Sequence, residues 1–342
     1  MEATALCIGF RHKKAKGPLA GPLSFALGKG EVCALLGPNG VGKTTLMKTL
    51  TGVLPALEGR VSIGGEAVKG WSAAKMARSV SMVYTGRLSG QPITVYEWVA
   101  MGRYPYTSWL GQLRAQDHAA IRDALEQTAT LDLASKQTDQ LSDGEFQKVA
   151  IARAIAQETP LLFLDEPTAH LDLPNRISLV RLLRQLACSH QKSILLTTHE
   201  LDLALHMADR LLLMMPNGQL VQGTPEDLVL EGALEQAFYG QLAGFDKALG
   251  TFNFHPPSAV GFSYEGERVP VYWASRALAR AGYATAGCFP HIHTLAVVTG
   301  RQLSDGQYTW ELGGELLHSV EALMGRARAL FPLSTVIQHQ QP

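Results

Sequence analysis

Two short stretches of this chain carry residues whose types and spacing can do chemistry. The first is Gly37-Pro38-Asn39-Gly40-Val41-Gly42-Lys43-Thr44-Thr45, which fills every position of G-x-x-x-x-G-K-[ST]. That pattern suits a nucleoside triphosphate. A glycine-rich turn lets successive backbone N–H groups face the β- and γ-phosphates, helped by the N-terminus of the helix that follows. Lys43 would then neutralise charge on the transferring phosphoryl group, and the hydroxyl of Thr44 would ligate Mg²⁺. The second stretch is Leu161-Leu162-Phe163-Leu164-Asp165-Glu166, four apolar residues ending in two acids. The acids stand at the C-terminal edge of an expected strand, where open α/β sheets place their ligands. Asp165 suits Mg²⁺ held through water, and Glu166, one residue on, is placed to polarise an attacking water.

These residues need a rigid frame. Residues 31–36 read as a buried parallel strand feeding the phosphate loop, and Thr45 to Leu50 has helical spacing with no breaker until Gly52. Further strands are expected at 4–10, 21–27, 61–65, 80–84, 161–164 and 193–197. Helices are expected at 95–101, 115–129, 142–157 (with Ser142 as its cap) and 174–190. Strands alternating with helices imply a mostly parallel sheet in an α/β layer. On the phosphate loop alone, kinases, GTPases, helicases and transporter ATPases all remain open.

Three more stretches narrow the class. Leu141-Ser142-Asp143-Gly144-Glu145 heads a helix and resembles the Leu-Ser-Gly-Gly-Gln signature of the ATP-binding cassette (ABC) ATPases. Pro167-Thr168-Ala169-His170-Leu171-Asp172 resembles that family's D-loop, and Thr197-Thr198-His199-Glu200 its switch histidine. The resemblance spans the whole first domain, residues 1–240, in order and spacing. It implies a parallel-sheet core with an antiparallel N-terminal sheet and a small helical subdomain. It also implies a head-to-tail dimer in which each ATP lies between one copy's phosphate loop and the other's signature. Ser142 and the amides of its helix, Gly144 included, would then meet the γ-phosphate in trans. Glu166 would polarise water, His199 would touch the γ-phosphate, and Asp172 would help register the two sites. Phe10 lies where the family keeps an aromatic residue that stacks on adenine, although a phenylalanine there is equally at home in a core.

The chain departs from the family pattern in two places. Asp143 and Glu145 replace the usual Gly and Gln, adding negative charge that a helix N-terminus tolerates. Thr85 stands where the family usually has a glutamine that contacts Mg²⁺; it would reach the metal only through water, or Gln91 would substitute. The segment from Thr94 to Tyr106 looks like the "T-V-x-E-x-V-x-x-G-R-x-P" of importers of iron–siderophore complexes, haem and cobalamin. There it receives a helix of a polytopic permease, and Tyr104, Tyr106, Trp109 and Leu110 are candidate anchors, unless these aromatics pack internally. The resemblance therefore implies an ATP-hydrolysing importer subunit. Its partners would be a second copy and the permease, with a substrate-binding protein acting indirectly. The rival readings are a soluble non-transport ABC ATPase and a cassette for another small solute.

Composition agrees with an ordinary globular protein. Of 342 residues, 30 are basic and 30 acidic, so no global field points to nucleic acid or anionic lipid. Cys7, Cys33, Cys188 and Cys288 are scattered, with Cys33 and Cys188 in apolar runs, which suits free core thiols in a reducing cytoplasm. Neither a signal peptide nor a membrane-spanning run is evident, so a peripheral place on the cytoplasmic face of the membrane, held by the permease, is expected. The Lys13-Lys14-Ala15-Lys16 cluster reads as a solvated loop, and His291 and His293 as neighbours on one strand face without metal-binding partners. Nucleotide-binding signals stop near residues 232–250. Residues 250–342 read as a small α+β accessory domain whose sequence discloses no chemistry, with strands near 251–254, 292–298 and 307–312 and helices over 271–280 and 316–330.

Overall fold

The computed structural model describes residues 1–10, 17–84, 93–108, 111–169, 171–238, 245–246, 251–252, 260–285 and 293–332. The chain divides into two compact units, Met1–Phe238 and Tyr239–Pro342.

The first unit opens with strands β1 (Glu2–Ile8), β2 (Ala20–Ala26), β3 (Val32–Leu36), β4 (Glu58–Ile63) and β5 (Glu66–Ala67), with helix α1 (Lys43–Leu50) between β3 and β4. It continues through α2 (Ala73–Ala77), β6 (Val80–Val83), α3 (Val95–Ala100), α4 (Ala115–Gln127), α5 (Asp143–Ala156), β7 (Leu161–Asp165), α6 (Leu173–His190) and β8 (Ser193–Thr197). It closes with α7 (Leu201–Met207), β9 (Arg210–Met214), β10 (Leu220–Gly223), α8 (Pro225–Leu230) and α9 (Ala233–Phe238). Two sheets result. One is antiparallel, in the order β2-β1-β4-β5; the other runs β10-β9-β3-β8-β7-β6, parallel except for β10 at its edge.

The apolar content of the strands explains this layering. Every residue of β3 and β8 is buried, as in strands covered on both faces. Leu46, Met47 and Leu50 of α1 join Leu6, Leu23 and Phe25 of the antiparallel sheet to Leu35, Phe163 and Leu195 of the parallel sheet in one core. The phosphate loop is thus mounted between two sheets. Cys33 lies inside the parallel sheet, and burial pushes its thiol up to about 12. Cys188 is exposed on α6, which corrects its expected place in the core.

Helices α3, α4 and α5 pack on one another as a small helical subdomain. Thr94 caps α3 by a reciprocal box: its Oγ1 accepts from the Glu97 amide at 3.2 Å, and the Glu97 carboxylate accepts from the Thr94 amide at 2.7 Å. The tight turn Met101–Tyr106 then places Arg103 in the subdomain interior. Its guanidinium donates to Asp117 at 2.9 Å, to Glu158 at 2.6 Å and to the Ala156 carbonyl at 2.7 Å.

In the second unit, β11 (Phe245–Asp246) pairs with β12 (Thr251–Phe252). Then follow β13 (Val260–Gly266), α10 (Arg268–Arg280), β14 (Ala284–Thr285), β15 (His293–Gln302), β16 (Tyr308–Leu312), β17 (Glu315–Leu317) and α11 (Val320–Leu330), with sheet order β14-β13-β15-β16-β17. Phe262, Val298, Trp310 and Leu312 pack under Ala274 and Leu278 of α10 and Leu323 and Ala327 of α11. The expected helix over 316–330 begins only at Val320, because Glu315–Leu317 pairs with β16 and Ser319 caps the helix by accepting from the Ala322 amide. The helix α10 starts earlier than expected, at Arg268, with Pro270 in its first turn. Strand β13 is not among the expected elements, although Phe262 and Tyr264 alternate with Ser263 and Glu265.

Candidate functional site

Strand β3 ends at Leu36 and α1 starts at Lys43, so the glycine-rich loop spans the step between them. Gly37 is buried at φ 148°, and a Cβ there would lie 2.5 Å from the Met214 carbonyl oxygen, so a larger residue cannot make this turn. Gly42, at φ 112°, caps α1 and turns Lys43, Thr44 and Thr45 into its first turn. The crown of the loop, Asn39 and Gly40, is exposed, while Pro38 and Val41 are partly buried. The Lys43 Nζ donates to the carbonyls of Gly37 at 2.8 Å and Pro38 at 3.0 Å, so its ammonium curls under the loop. Burial lowers its pKa, opposed by the charges of Glu166 and Asp165. Thr44 is exposed and Thr45 buried.

Asp165 is the last residue of β7, paired in register with Thr197 at the end of β8. Glu166 follows at φ 49°, a left-handed backbone that is sparsely populated without glycine. Its amide donates to the Thr197 hydroxyl at 2.9 Å, and that hydroxyl donates to Asp165 Oδ1 at 2.6 Å. The Glu166 Oε1 meets His199 Nε2 at 2.7 Å, with both side chains partly open to solvent. Lys43, Asp165, Glu166 and His199 thus gather at the C-terminal ends of neighbouring strands β3, β7 and β8. Tyr84, next to the end of β6, faces the same charges: burial raises its pKa, and the Asp165 carboxylate adds to the rise. Motif reading names Thr197 only as a neighbour of His199 and passes over Tyr84. The available signal for Thr197 is a hydroxyl at the C-terminal end of a strand whose centre, Ile194 to Leu196, is apolar.

The signature residues lie at the head of α5. Ser142 Oγ accepts from the Glu145 amide at 3.3 Å while the Glu145 carboxylate accepts from the Ser142 amide at 2.7 Å. Those bonds from Ser142, with the Lys136 ammonium 3.5 Å away, hold the Glu145 carboxyl below the usual carboxylate range. The charge that departs from the family pattern is therefore used within the helix cap. Ser142 and Asp143 remain exposed, whereas Gly144 is buried with Asn175 of α6 so close that a Cβ would come within 2.8 Å of its side chain. Asp172 caps α6, its carboxylate accepting from the Asn175 amide at 3.0 Å. Arg176 in that first turn donates to the Leu171 carbonyl at 3.2 Å and pairs with Glu200 at 2.5 Å, tying the start of α6 to the residue after His199.

Phe10 is 55% exposed just past the end of β1, so its ring is outside the core and available to a flat partner. The expected aromatic anchors divide. Tyr104 is 60% exposed, but the Tyr106 hydroxyl donates to the Gln157 carbonyl at 2.9 Å and its ring lies 4.3 Å from the Arg103 guanidinium. Tyr106 therefore packs internally, which corrects its expectation as an anchor. Thr85, Gln91, Trp109, Leu110, His170, His291 and the Lys13–Lys16 cluster lie outside the described residues.

The donor set fits Mg²⁺. That ion takes few protein ligands and keeps waters and substrate phosphates, and an exposed hydroxyl at Thr44 with a strand-end carboxylate at Asp165 supplies such ligands. Among the described residues no helix is long and apolar enough to cross a membrane.

A glycine loop over a buried lysine, facing strand-end acids, defines a nucleoside-triphosphate hydrolase of α/β architecture. The family model described as "ABC transporter" matches residues 20–169. The chain is 39% identical over 216 residues to the achromobactin transport ATP-binding protein CbrD of Dickeya dadantii, spanning 63% of this chain and 80% of that protein. It is 36% identical over 238 residues to the hemin import ATP-binding protein HmuV of Streptomyces coelicolor, spanning 69% and 84%. Among solved structures, cbiO1 of Clostridium perfringens, part of an ABC transporter complex, aligns with a TM-score of 0.58 at 26% identity, covering 73% of this chain and 96% of that one. The chain belongs to the ABC transporter family as an ATP-binding protein, and it is an ATPase of that type.

Proposed function

We propose that this chain is the ATP-hydrolysing subunit of an importer for an iron chelate, haem or cobalamin, working through a separate polytopic permease. The observation that carries the reading is the gathering of Lys43, Asp165, Glu166 and His199 at adjacent strand ends. The cargo class follows from the relatives named for achromobactin and hemin. Chelated cargo is chosen elsewhere, by a binding protein and the permease, so the cassette supplies energy alone.

The loop N–H groups of residues 39–42 and the Lys43 ammonium hold the triphosphate, with the helix N-terminus favouring negative charge. Thr44 and Asp165 would hold Mg²⁺, which when bound offsets charge on the β- and γ-phosphates. Glu166 accepts a proton from the attacking water, and His199, which meets Glu166 here, turns toward the γ-phosphate when nucleotide is bound. The pair of exposed residues Ser142 and Asp143 leaves the head of α5 open to a second copy, whose γ-phosphate it meets in trans. Asp172 helps register the two copies, and Phe10 stacks on adenine. The dimer rides on the permease at the cytoplasmic face of the membrane.

The test is reconstitution. The chain co-expressed with a candidate permease should co-purify with it and drive ATP-dependent uptake of one of a ferric siderophore, haem or cobalamin into vesicles. ATP hydrolysis by a chain that binds no polytopic partner would sink the importer reading and leave the ATPase intact.

A further inference from the structure

The buried Thr197 hydroxyl joins the two acids of the candidate site, and no role attaches to it so far. Thr197 is fully buried at the end of β8, directly opposite Asp165 in the parallel ladder. Its one hydroxyl is used in both directions. It donates to Asp165 Oδ1 at 2.6 Å and accepts the Glu166 amide at 2.9 Å. The second bond matters because Glu166 stands at φ 49°, a conformation that a non-glycine residue holds only when its surroundings impose it. The backbone turn at Glu166 in turn aims its carboxylate at His199, two residues beyond Thr197 on the same chain segment. One oxygen thus fixes the Asp165 carboxylate, the Glu166 backbone and, through the short link Thr198, the strand end from which His199 projects.

We propose that Thr197 is a positioning residue for hydrolysis: its hydroxyl sets the orientation of the metal-binding acid and of the water-polarising acid together. The proposal rests on the ATPase reading of Asp165 and Glu166. Valine at this position has nearly the shape of threonine but can neither donate nor accept. It would leave the Glu166 amide and one Asp165 oxygen without their buried partner. Serine keeps the hydroxyl and gives up one methyl group. The phosphate loop lies on β3 and α1 and makes none of these bonds, so ground-state binding of nucleotide should be spared.

The full-length chain is compared as wild type, Thr197→Val and Thr197→Ser, with Lys43→Ala and Glu166→Gln alongside. Three quantities are read: kcat and KM for ATP, the Mg²⁺ concentration that half-saturates hydrolysis, and the Mg²⁺ dependence of binding of a fluorescent ATP analogue. Thr197→Val should lower kcat about 10- to 100-fold with KM changed less than about threefold. It should also shift the Mg²⁺ dependence of nucleotide binding to higher concentration. Thr197→Ser should restore both to within about threefold of wild type. A loss of fold alone would lower the active fraction and leave the Mg²⁺ dependence of the remaining binding where it is in wild type. If Thr197→Val does not fold, Thr197→Ala carries the same comparison with Thr197→Ser. Wild-type kcat and Mg²⁺ dependence in the hydroxyl-free variant would overturn the proposal, as would a Thr197→Ser variant as impaired as Thr197→Val. Wild-type turnover in Lys43→Ala and Glu166→Gln would instead overturn the ATPase assignment of the site, an outcome separable from either.

Discussion

The Lys43 ammonium rests on two carbonyls of its own loop, yet burial leaves it a poorly solvated charge facing two carboxylates. A triphosphate entering the loop would meet that charge before and during reaction, so the ground state and the transition state would both use it. Lys43→Ala is expected to weaken ATP binding by roughly 10- to 100-fold, about the range of one charge-assisted hydrogen bond, and to lower the rate as well. Calorimetric titration of the folded variant checks it, and unchanged affinity would show that the loop is not the triphosphate site. At the signature, Glu145 illustrates how a family departure is absorbed. Its carboxylate closes the cap of α5, so Glu145→Ala should destabilise the protein by about 1 kcal/mol in urea unfolding, while Glu145→Gln, which can still accept from the Ser142 amide, should lose less.

At the scale of elements, the helical subdomain is clipped by Arg103 and Asp117, both buried. Without Asp117 the Arg103 guanidinium keeps Glu158 and the Ala156 carbonyl but loses a buried charge-assisted bond, so Asp117→Ala should reduce stability by about 1–3 kcal/mol, readable as a shift of the urea midpoint. The Arg114 amide, followed by the Arg103 guanidinium, holds the Asp117 carboxyl below its ordinary value. With the folded value depressed, this stabilisation is complete above the unfolded value of about 3.9 and is lost as pH falls through the folded one. Unfolding free energies measured from pH 5 down to pH 2 should therefore fall more steeply for the wild type than for Asp117→Asn. The segment Thr94–Tyr106 shows what a sequence can disclose at this scale. Thr94 and Glu97 are three apart, so their capping box is legible from spacing alone. Arg103 is not legible in the same way, because Asp117 and Glu158 reach it from distant helix ends. Tyr106 reads as an anchor until Gln157 and Arg103 are seen to claim it. Tyr104 keeps its exposure, so Tyr104→Ala should leave ATPase activity of the isolated chain within about twofold while weakening co-purification with the permease.

At the scale of the whole molecule, the phosphate loop, strand-end acids and signature are local in sequence, and each strand or helix end they need is announced by apolar runs and caps. What the sequence leaves hidden is contact between distant segments. Thr197 reaches Asp165 and Glu166 across two neighbouring strands, and Arg176 reaches Glu200 across a helix start and a loop. The second unit follows the same rule: Phe262 and Trp310 form its core from residues with no chemical signature, so its fold can be described while its sequence discloses no reaction. Two copies meeting head to tail would bring each exposed Ser142 to the other's loop, and trapping ATP should make that dimer persist. Glu166, held beside His199 at the end of β7, is placed to polarise the water that cleaves ATP. Single-turnover phosphate release by wild type and Glu166→Gln, with bound nucleotide measured in the same samples, tests that role. Equal ATP affinity, release at least about 100-fold slower in the variant and its accumulation as an ATP-bound dimer are expected; phosphate release at the wild-type rate from Glu166→Gln would contradict that role.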